Sequence, residues 1–372
     1  MRIVFIVILL VHGLIHFFGF AKAFGIYEFK EITGDISKPA GLLWLSASLF
    51  FLITVIFYTA RSDFWWLLAL ISIILSQIVI IFFWSDARYG TIANVIILFV
   101  SVVAFQSWKF EEKYRDDYTR GIERTQNSAI EILSKEDTRH LPALVREYLE
   151  YAGVINKPKV KNFKAVFEAE MRSKTQDWFK LTAEQHNFLD RYERFFFLDA
   201  KFKGMPTQGY HLYKNGKSSM TIKLLSTIPV VKVSGDKMFE AETVTLLNDM
   251  CFLAPATLID ERIQWEEIDN KSVKAVFTNN GTTVSAILFF NEKGQLVNFE
   301  SHDRYDVNAM KKYKFSTPLK DYRPINGFNL ASYGEAVWHY PDGEFVYGRF
   351  HLKEIEYNVS EDQEAKNIML NK

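Results

Sequence analysis

The chain has 372 residues and no formal net charge, with 44 basic against 44 acidic side chains, so no basic stripe argues for nucleic acid. A single cysteine, Cys251, excludes an intramolecular disulfide and any cysteine-based zinc cluster. The balance hides an asymmetry: residues 1–108 hold six basic groups (Arg2, Lys22, Lys30, Lys38, Arg61, Arg88) and five acidic ones (Glu28, Glu31, Asp35, Asp63, Asp86), leaving 38 basic and 39 acidic for the rest.

Four apolar runs occupy that first third, at 3–21, 41–60, 64–84 and 89–108. Each approaches the ~20 residues a helix needs to cross ~30 Å of hydrocarbon. Links of three and four residues between the last three runs demand antiparallel hairpins. Trp44, Trp65, Trp66, Trp84 and Trp108 lie near run ends, where amphipathic rings favour the headgroup layer. A cleaved leader competes for the first run, with Ala21-Lys22-Ala23 as its cleavage-like site. His12, Gly13 and His16 suit such a segment poorly, and three more spans follow. The expectation is a multi-pass protein of a bacterial cytoplasmic membrane, with the lipid bilayer as partner. The charge count sets Arg2, Arg61, Lys109, Lys113, Arg115, Arg120 and Arg124 against Lys22, Lys30, Lys38 and Arg88, which places the soluble part on the cytoplasmic side.

Polar groups at membrane depth are functional candidates. His12 and His16, four apart, share a helix face. The membrane third has no other histidine, so a bis-histidine haem between helices of one chain is excluded, and no cofactor and no metal is expected. The plainer reading is interhelical hydrogen bonding by His12, His16, Gln77 and Asn94. Association of the helices into a homo-oligomer stays open.

Residues 109–157 form a charged connector. It reads as a helix broken near Gly121, then a short amphipathic helix over 141–153 whose apolar face is Leu141, Leu144, Val145, Tyr148, Leu149 and Ala152. From residue 158 the period becomes two: Phe163, Ala165, Phe167, Ala169 and Met171 alternate with charged residues. Strand-like runs follow at 178–188, 193–202, 207–213, 219–225, 263–268, 272–278, 283–290, 295–301, 313–319, 330–338 and 345–357. Asn215-Gly216, Asn280-Gly281, Lys293-Gly294 and Asp342-Gly343 punctuate them as hairpin turns. One helical insert spans 236–252. The fold class is thus a four-helix membrane bundle followed by a soluble α+β domain over 158–358, a large curved antiparallel sheet or half-barrel with a helical insert, and then a polar tail over 359–372.

Nineteen of the 33 phenylalanines lie beyond residue 108, three of them consecutive at 195–197. Such a triplet presents rings on both faces of a strand, which suits a packed core or a hydrophobic ligand cavity. Phe195, Phe197, Trp265, Glu335, Trp338 and His339 are the candidate ligand residues. Glu335 and His339 have even spacing and share a face, with Trp338 on the other. No Gly-x-Ser-x-Gly, His-Glu-x-x-His or phosphate-binding glycine loop is present. Glu240, Glu242, Asp249 and Asp260 cluster around the helical insert; they suit acid–base work where burial splits their pKa values, and a solvated helix face otherwise. Cys251 with His302 or His339 is a weaker nucleophile pair, since a cysteine among apolar helical residues is usually an inert core residue.

The stretches Ser218–Ser226, Glu242–Asp260, Asn326-Gly-Phe and Gly334–His339 resemble an uncharacterised family of bacterial membrane proteins, known only as a domain of unknown function. The resemblance covers most of 140–358 and implies no activity. The sheet pattern resembles, at fold level, the half-barrels of bacterial lipoprotein carriers and other lipid-binding envelope proteins, which implies a lipid or apolar small molecule as ligand. The helical part is similar to small four-helix membrane proteins of the DoxX-like type. The expected function is non-catalytic binding of a hydrophobic or lipidic ligand by a membrane-anchored domain. The alternatives are an envelope hydrolase or transferase using carboxylate and histidine residues, and a structural or assembly protein of the membrane.

Overall fold

The computed structural model describes residues 2–29 and 32–370, with side chains through Ala365; Lys30 and Glu31, counted above among the loop charges, and the last two residues of the polar tail lie outside the described residues. The chain divides into two compact units, 1–110 and 111–371.

In the first unit, α1 (Arg2–Ala23), α2 (Lys38–Thr59), α3 (Trp65–Phe82) and α5 (Gly90–Thr125) are each long and apolar enough to cross a membrane. A one-turn helix, α4 (Trp84–Ala87), joins α3 to α5. Side chains such as Ile3, Ile56, Ile81 and Phe99 point outward, as expected of helices solvated by lipid rather than water. Small residues let α1 and α2 approach closely: a methyl group on Gly19 would overlap the Trp44 indole. Polar side chains tie the bundle together. Nε2 of His12 lies 2.9 Å from Oδ1 of Asn94 and 3.1 Å from Oγ of Ser76. Asn94 in turn donates to Gln77 (3.0 Å). His16 instead bonds its own helix, Nδ1 to the His12 carbonyl at 2.8 Å. Asp86, on α4, accepts from the backbone N–H groups of Thr33 and Gly34 and so pins the loop after α1.

The helix of the fourth apolar run continues past residue 108, as expected, but it does not break near Gly121: α5 is 36 residues long, about 54 Å at 1.5 Å per residue. The glycine serves packing: a Cβ there would overlap the Phe188 ring. The helix therefore extends through the first part of the connector, and its last turns belong to the second unit. A 3₁₀ turn (Glu136–Thr138) and α6 (Ala143–Ala152) follow. α6 ends where Gly153 adopts a left-handed conformation (φ 70°), and it buries Val145, Tyr148, Leu149 and Ala152.

The rest of the second unit is one antiparallel sheet. Its strands are β1 (Asn162–Ser173), β2 (Gln176–Phe188), β3 (Glu193–Phe202), β4 (Met205–Lys214), β5 (Lys217–Leu224), β6 (Ile228–Ser234), β7 (Ile263–Glu267), β8 (Ser272–Asn279), β9 (Thr282–Phe290), β10 (Leu296–Ser301), β13 (Lys314–Ile325), β14 (Phe328–Tyr340) and β15 (Gly343–Tyr357). A separate small hairpin pairs β11 (Tyr305–Asp306) with β12 (Lys311–Lys312). The thirteen strands run β6-β5-β4-β3-β2-β1-β15-β14-β13-β10-β9-β8-β7, with the two edges unjoined. Asn215-Gly216 and Asn280-Gly281 both have positive φ (52° and 70°; 48° and 78°), the geometry of tight type I′ hairpins that Asn-Gly encodes.

The helical insert α7 (Asp236–Phe252), followed by a 3₁₀ turn (Pro255–Ile259), lies inside the curl. It packs on β5 and β6 near one edge and on β9 and β10 near the other, so the sheet wraps around it. The polar tail is not extended: α8 (Glu361–Leu370) is helical, and Glu364 pairs with Lys164 at 2.9 Å.

Candidate ligand cavity

Between α7 and the concave face of the sheet lies a cavity of about 950 Å³. Alternation along each strand decides which residues reach it. On β3 these are Arg194, Phe196, Leu198 and Ala200; on β2, Phe179, Leu181 and Gln185; on β15, Tyr347, Phe350 and Leu352. α7 presents Met238, Ala241, Thr245, Asn248 and Phe252, one face at three- and four-residue spacing. Phe, Leu, Met, Ala and Val side chains supply much of the lining, interspersed with polar and charged residues such as Arg172, Lys174, Asp306 and Glu335.

One end of this apolar space carries buried charge. Arg194 donates from Nε to Oδ2 of Asp249 (2.7 Å), from one terminal nitrogen to Oε2 of Glu242 (3.0 Å) and from the other to Oε1 of Gln185 (2.9 Å). Gln185 also donates to Asp249 (2.7 Å), and Nδ1 of His211 sits 3.4 Å from Glu242. Burial raises both carboxyl groups, but the outcome differs. At Glu242 the Arg194 guanidinium and His211 outweigh burial and hold the carboxyl at about 2. At Asp249 burial outweighs Arg194, and the carboxyl stays above its ordinary value.

A second polar group lies on the cavity wall beside the small hairpin. The Arg304 guanidinium rests 4.1 Å from the Phe315 ring centroid and 5.2 Å from that of Trp338, and donates to the Tyr347 hydroxyl at 2.8 Å. Tyr347 sits at a bulge of β15: Val337 pairs with Val346 and Ala336 with Gly348, leaving Tyr347 as the extra residue. Bulges re-aim side chains in this way.

The sequence candidates distribute unevenly over this geometry. Trp338 and Glu335 line the cavity, as does Asp249. Phe195 and Phe197 do not: Phe196 is the ring of the triplet that faces the cavity. Phe195 packs on Phe188, and Phe197 stacks on Tyr114 of α5 at 5.3 Å. The last turns of α5 thus cover the outer face of the sheet, and the outward rings are core rather than ligand wall. Trp265 packs against the core beside β8, away from the cavity. Glu335 and His339 are not brought together. Glu335 accepts from the Tyr333 hydroxyl (2.6 Å), whereas His339 is engaged by Ser316 (2.8 Å) and Glu344 (3.2 Å). Of the four carboxylates near the insert, only Glu242 and Asp249 converge. Glu240 pairs with Lys312, and Asp260 caps the backbone N–H of Arg262. Cys251 is fully buried, burial pushes its thiol far up, and it is no partner of His302 or His339 among the described residues. His12 and His16 line a separate space of about 620 Å³ within the helical unit.

Arg194, Gln185, His211, Arg304 and Tyr347 line the cavity without having stood out in the sequence. For Arg194 a signal existed: it occupies the same strand face as Phe196, Leu198 and Ala200, a core-facing position that an arginine takes only with partners.

On the outer face, Glu184, His186 and Glu364 come within metal-ligand reach of one another. The Lys164 ammonium already lies between the carboxylates, 3.1 Å from Glu184 and 2.9 Å from Glu364. Burial, only partly offset by Glu184, lowers His186 to about 3.

No curated protein matches this chain. Among solved structures, a LolA superfamily protein from Nitrosomonas europaea is similar at 10% identity, covering 59% of this chain and 96% of that one, with a TM-score of 0.34. A family model described as a family of unknown function, DUF6544, matches residues 131–350, from just before α6 into β15. The matched stretch is more than half of the chain, and the protein belongs to that family.

Proposed function

We propose that the sheet domain binds an amphipathic, lipid-like molecule without converting it, and that the four apolar helices anchor that domain in a bilayer. The observation that carries this reading is the cavity: about 950 Å³ of space with a large share of apolar side chains in its lining and a paired cluster of buried charge, Arg194 with Glu242 and Asp249, on its wall. Ligand sites of this kind combine apolar bulk with a few convergent polar groups. Arg194 saturates the two carboxylates, which favours recognition over acid–base work.

The test uses the full-length protein moved from detergent into defined lipid nanodiscs, followed by native mass spectrometry and organic extraction. The wild type retains lipid-sized adducts. Leu198→Trp, which fills the cavity from β3, loses them. Absence of adducts in both, together with no uptake of added fatty acid or fatty alcohol by the wild type, overturns the reading.

One observation favours a second reading, an envelope hydrolase or transferase: Glu242 and Asp249 share a cavity wall but depart from their ordinary values in opposite directions, as acid–base pairs do. An Asp249→Asn protein that still turns over a cavity-bound ester would exclude Asp249 from such chemistry.

Our reading also sets the sheet domain on the cytoplasmic side, in line with the excess of basic residues beside Arg2, Arg61 and the segment after residue 108. A cysteine introduced at the exposed Lys293 answers this. Labelling of intact cells by a membrane-impermeant maleimide contradicts the cytoplasmic placement, and labelling only after lysis supports it.

A further inference from the structure

We infer that the ligand of this cavity is anionic at one end, an acyl chain bearing a carboxylate or phosphate, and that Arg304 with Tyr347 is the clamp that selects it. The inference rests on the lipid-binding reading and adds a headgroup to it.

Three arginines line the cavity: Arg194 is matched by Asp249 and Glu242, Arg172 spends its Nε on the Val346 carbonyl (2.7 Å) and lies over the Trp178 and Phe345 rings, and Arg304 is the third. Arg304 has no carboxylate within ion-pair distance among the described residues. The acidic groups nearby are engaged elsewhere: Glu242 by Arg194 and His211, and Asp306 by the Tyr340 hydroxyl (2.8 Å) and the backbone N–H of Asn308 (2.8 Å). Arg304 instead sits on the Phe315 and Trp338 rings and spends one N–H on the Tyr347 oxygen, while its buried Nε has no partner. A guanidinium offers five N–H donors in a planar fork suited to carboxylate or phosphate.

Tyr347 completes the device. Its oxygen accepts from Arg304, which leaves its own O–H free to donate. The bulge in β15 is what places it there. Two donors on one cavity wall, backed by aromatic rings that hold the guanidinium in position, are complementary to a single anionic headgroup whose tail runs along the apolar walls. Trp338 therefore acts as a positioning residue for Arg304 rather than as a simple hydrophobic contact.

The experiment measures binding to the full-length protein in nanodiscs with four probes at neutral pH: hexadecanoate, hexadecyl phosphate, 1-hexadecanol and inorganic phosphate. The expected result is that both anionic amphiphiles bind at least about tenfold more tightly than the alcohol, and that inorganic phosphate does not compete. Arg304→Gln removes that preference, bringing the affinity of both anionic amphiphiles down to that of the alcohol. Tyr347→Phe, which keeps the ring and deletes only the hydroxyl, reduces the preference several-fold and guards against a folding defect in the arginine variant. Equal binding of acid and alcohol overturns the anionic headgroup while leaving the cavity reading intact. Failure of the wild type to bind any amphiphile overturns both. Competition by inorganic phosphate as strong as by hexadecyl phosphate also overturns the inference, because the site then takes a free anion and ignores the tail.

Discussion

Nδ2 of Asn279 on β8 donates a 2.8 Å hydrogen bond to the hydroxyl of Tyr213 on β4, joining the twelfth strand of the sheet to the third. Strands so far apart in the order meet only because the sheet curls around α7, whose Thr243 takes the other side of the same phenol at 3.0 Å. All three groups are buried. Tyr213→Phe is expected to destabilise the protein by about 1–3 kcal/mol, since it leaves the buried Asn279 N–H without an acceptor, whereas Thr243 keeps its bond to the Phe239 carbonyl at 2.8 Å. Denaturant melts of the full-length protein followed by tryptophan fluorescence read this; an unchanged midpoint would remove the bridge as a determinant of the curl.

Arg194 predicts a larger effect with a specific rescue. Arg194→Met strands Glu242 and Asp249 as unpaired buried acids, at a cost of about 3–5 kcal/mol. Adding Glu242→Gln and Asp249→Asn removes the stranded charge, and the triple variant recovers most of the stability. A triple variant no more stable than the single one would show that Arg194 acts through packing on Phe196, whose ring lies 5.0 Å from the guanidinium, and not through charge.

The outer cluster gives a pH dependence. His186 is held neutral in the folded protein down to about 3, against 6.5 ordinarily. The unfolded chain therefore takes up a proton below 6.5 that the folded protein refuses. This depressed group contributes stability in full above 6.5 and loses it as pH falls. The slope is about 1.4 kcal/mol per pH unit. Between pH 6.5 and 5, above the window in which Glu184 and Glu242 are taken up, stability should fall more steeply in the wild type than in His186→Gln. Parallel curves would place the imidazole in a solvated setting.

Gly121 offers a test of sign. At an ordinary solvent-facing helical position Gly→Ala stabilises by up to about 1 kcal/mol. Here a Cβ would overlap the Phe188 ring, so Gly121→Ala is expected to destabilise by about 1–3 kcal/mol. A gain in melting temperature would mean that α5 does not pack on β2 as described.

Cys251 is fully buried and its thiol is pushed far up. Iodoacetamide should leave it unmodified in the native protein and label it stoichiometrically in denaturant; native labelling at the rate of a free thiol would contradict its place in the core. For the same reason Cys251 itself cannot report membrane sidedness, and an introduced surface cysteine is needed.

What the sequence made legible follows from period and turn chemistry. Alternation of apolar and charged residues marked β1, and Asn-Gly pairs marked the hairpins after β4 and β8, because only such residues take two successive positive φ values cheaply. The insert at 236–252 was visible from its change of period. Three features were not. β6 carries Pro229, which reads as a strand breaker but is tolerated on an edge that needs no donor there. The continuity of α5 was masked by Gly121, which looks like a helix stop until Phe188 is placed against it. The candidate site was half visible: Trp338, Glu335 and Asp249 stood out by type, but Phe195 and Phe197 were assigned to the wrong face. Two adjacent strand faces cannot be told apart when both are aromatic and one is covered by a helix distant in sequence. Arg304 lies in a short loop before β11, where no period flags it.

The unjoined seam between β6 and β7 has a consequence for the size of what the sheet encloses. In a closed barrel, strand number and stagger fix the bore. Here no backbone ladder fixes the circumference. Side chains such as Tyr213 and Asn279, together with the wedge of α7, set the gauge instead. Such ties are lost by changing a side chain rather than by breaking a ladder, so the circumference is written in packing, and a substitution at Tyr213 or Asn279 can alter it while every strand pairing stays in place.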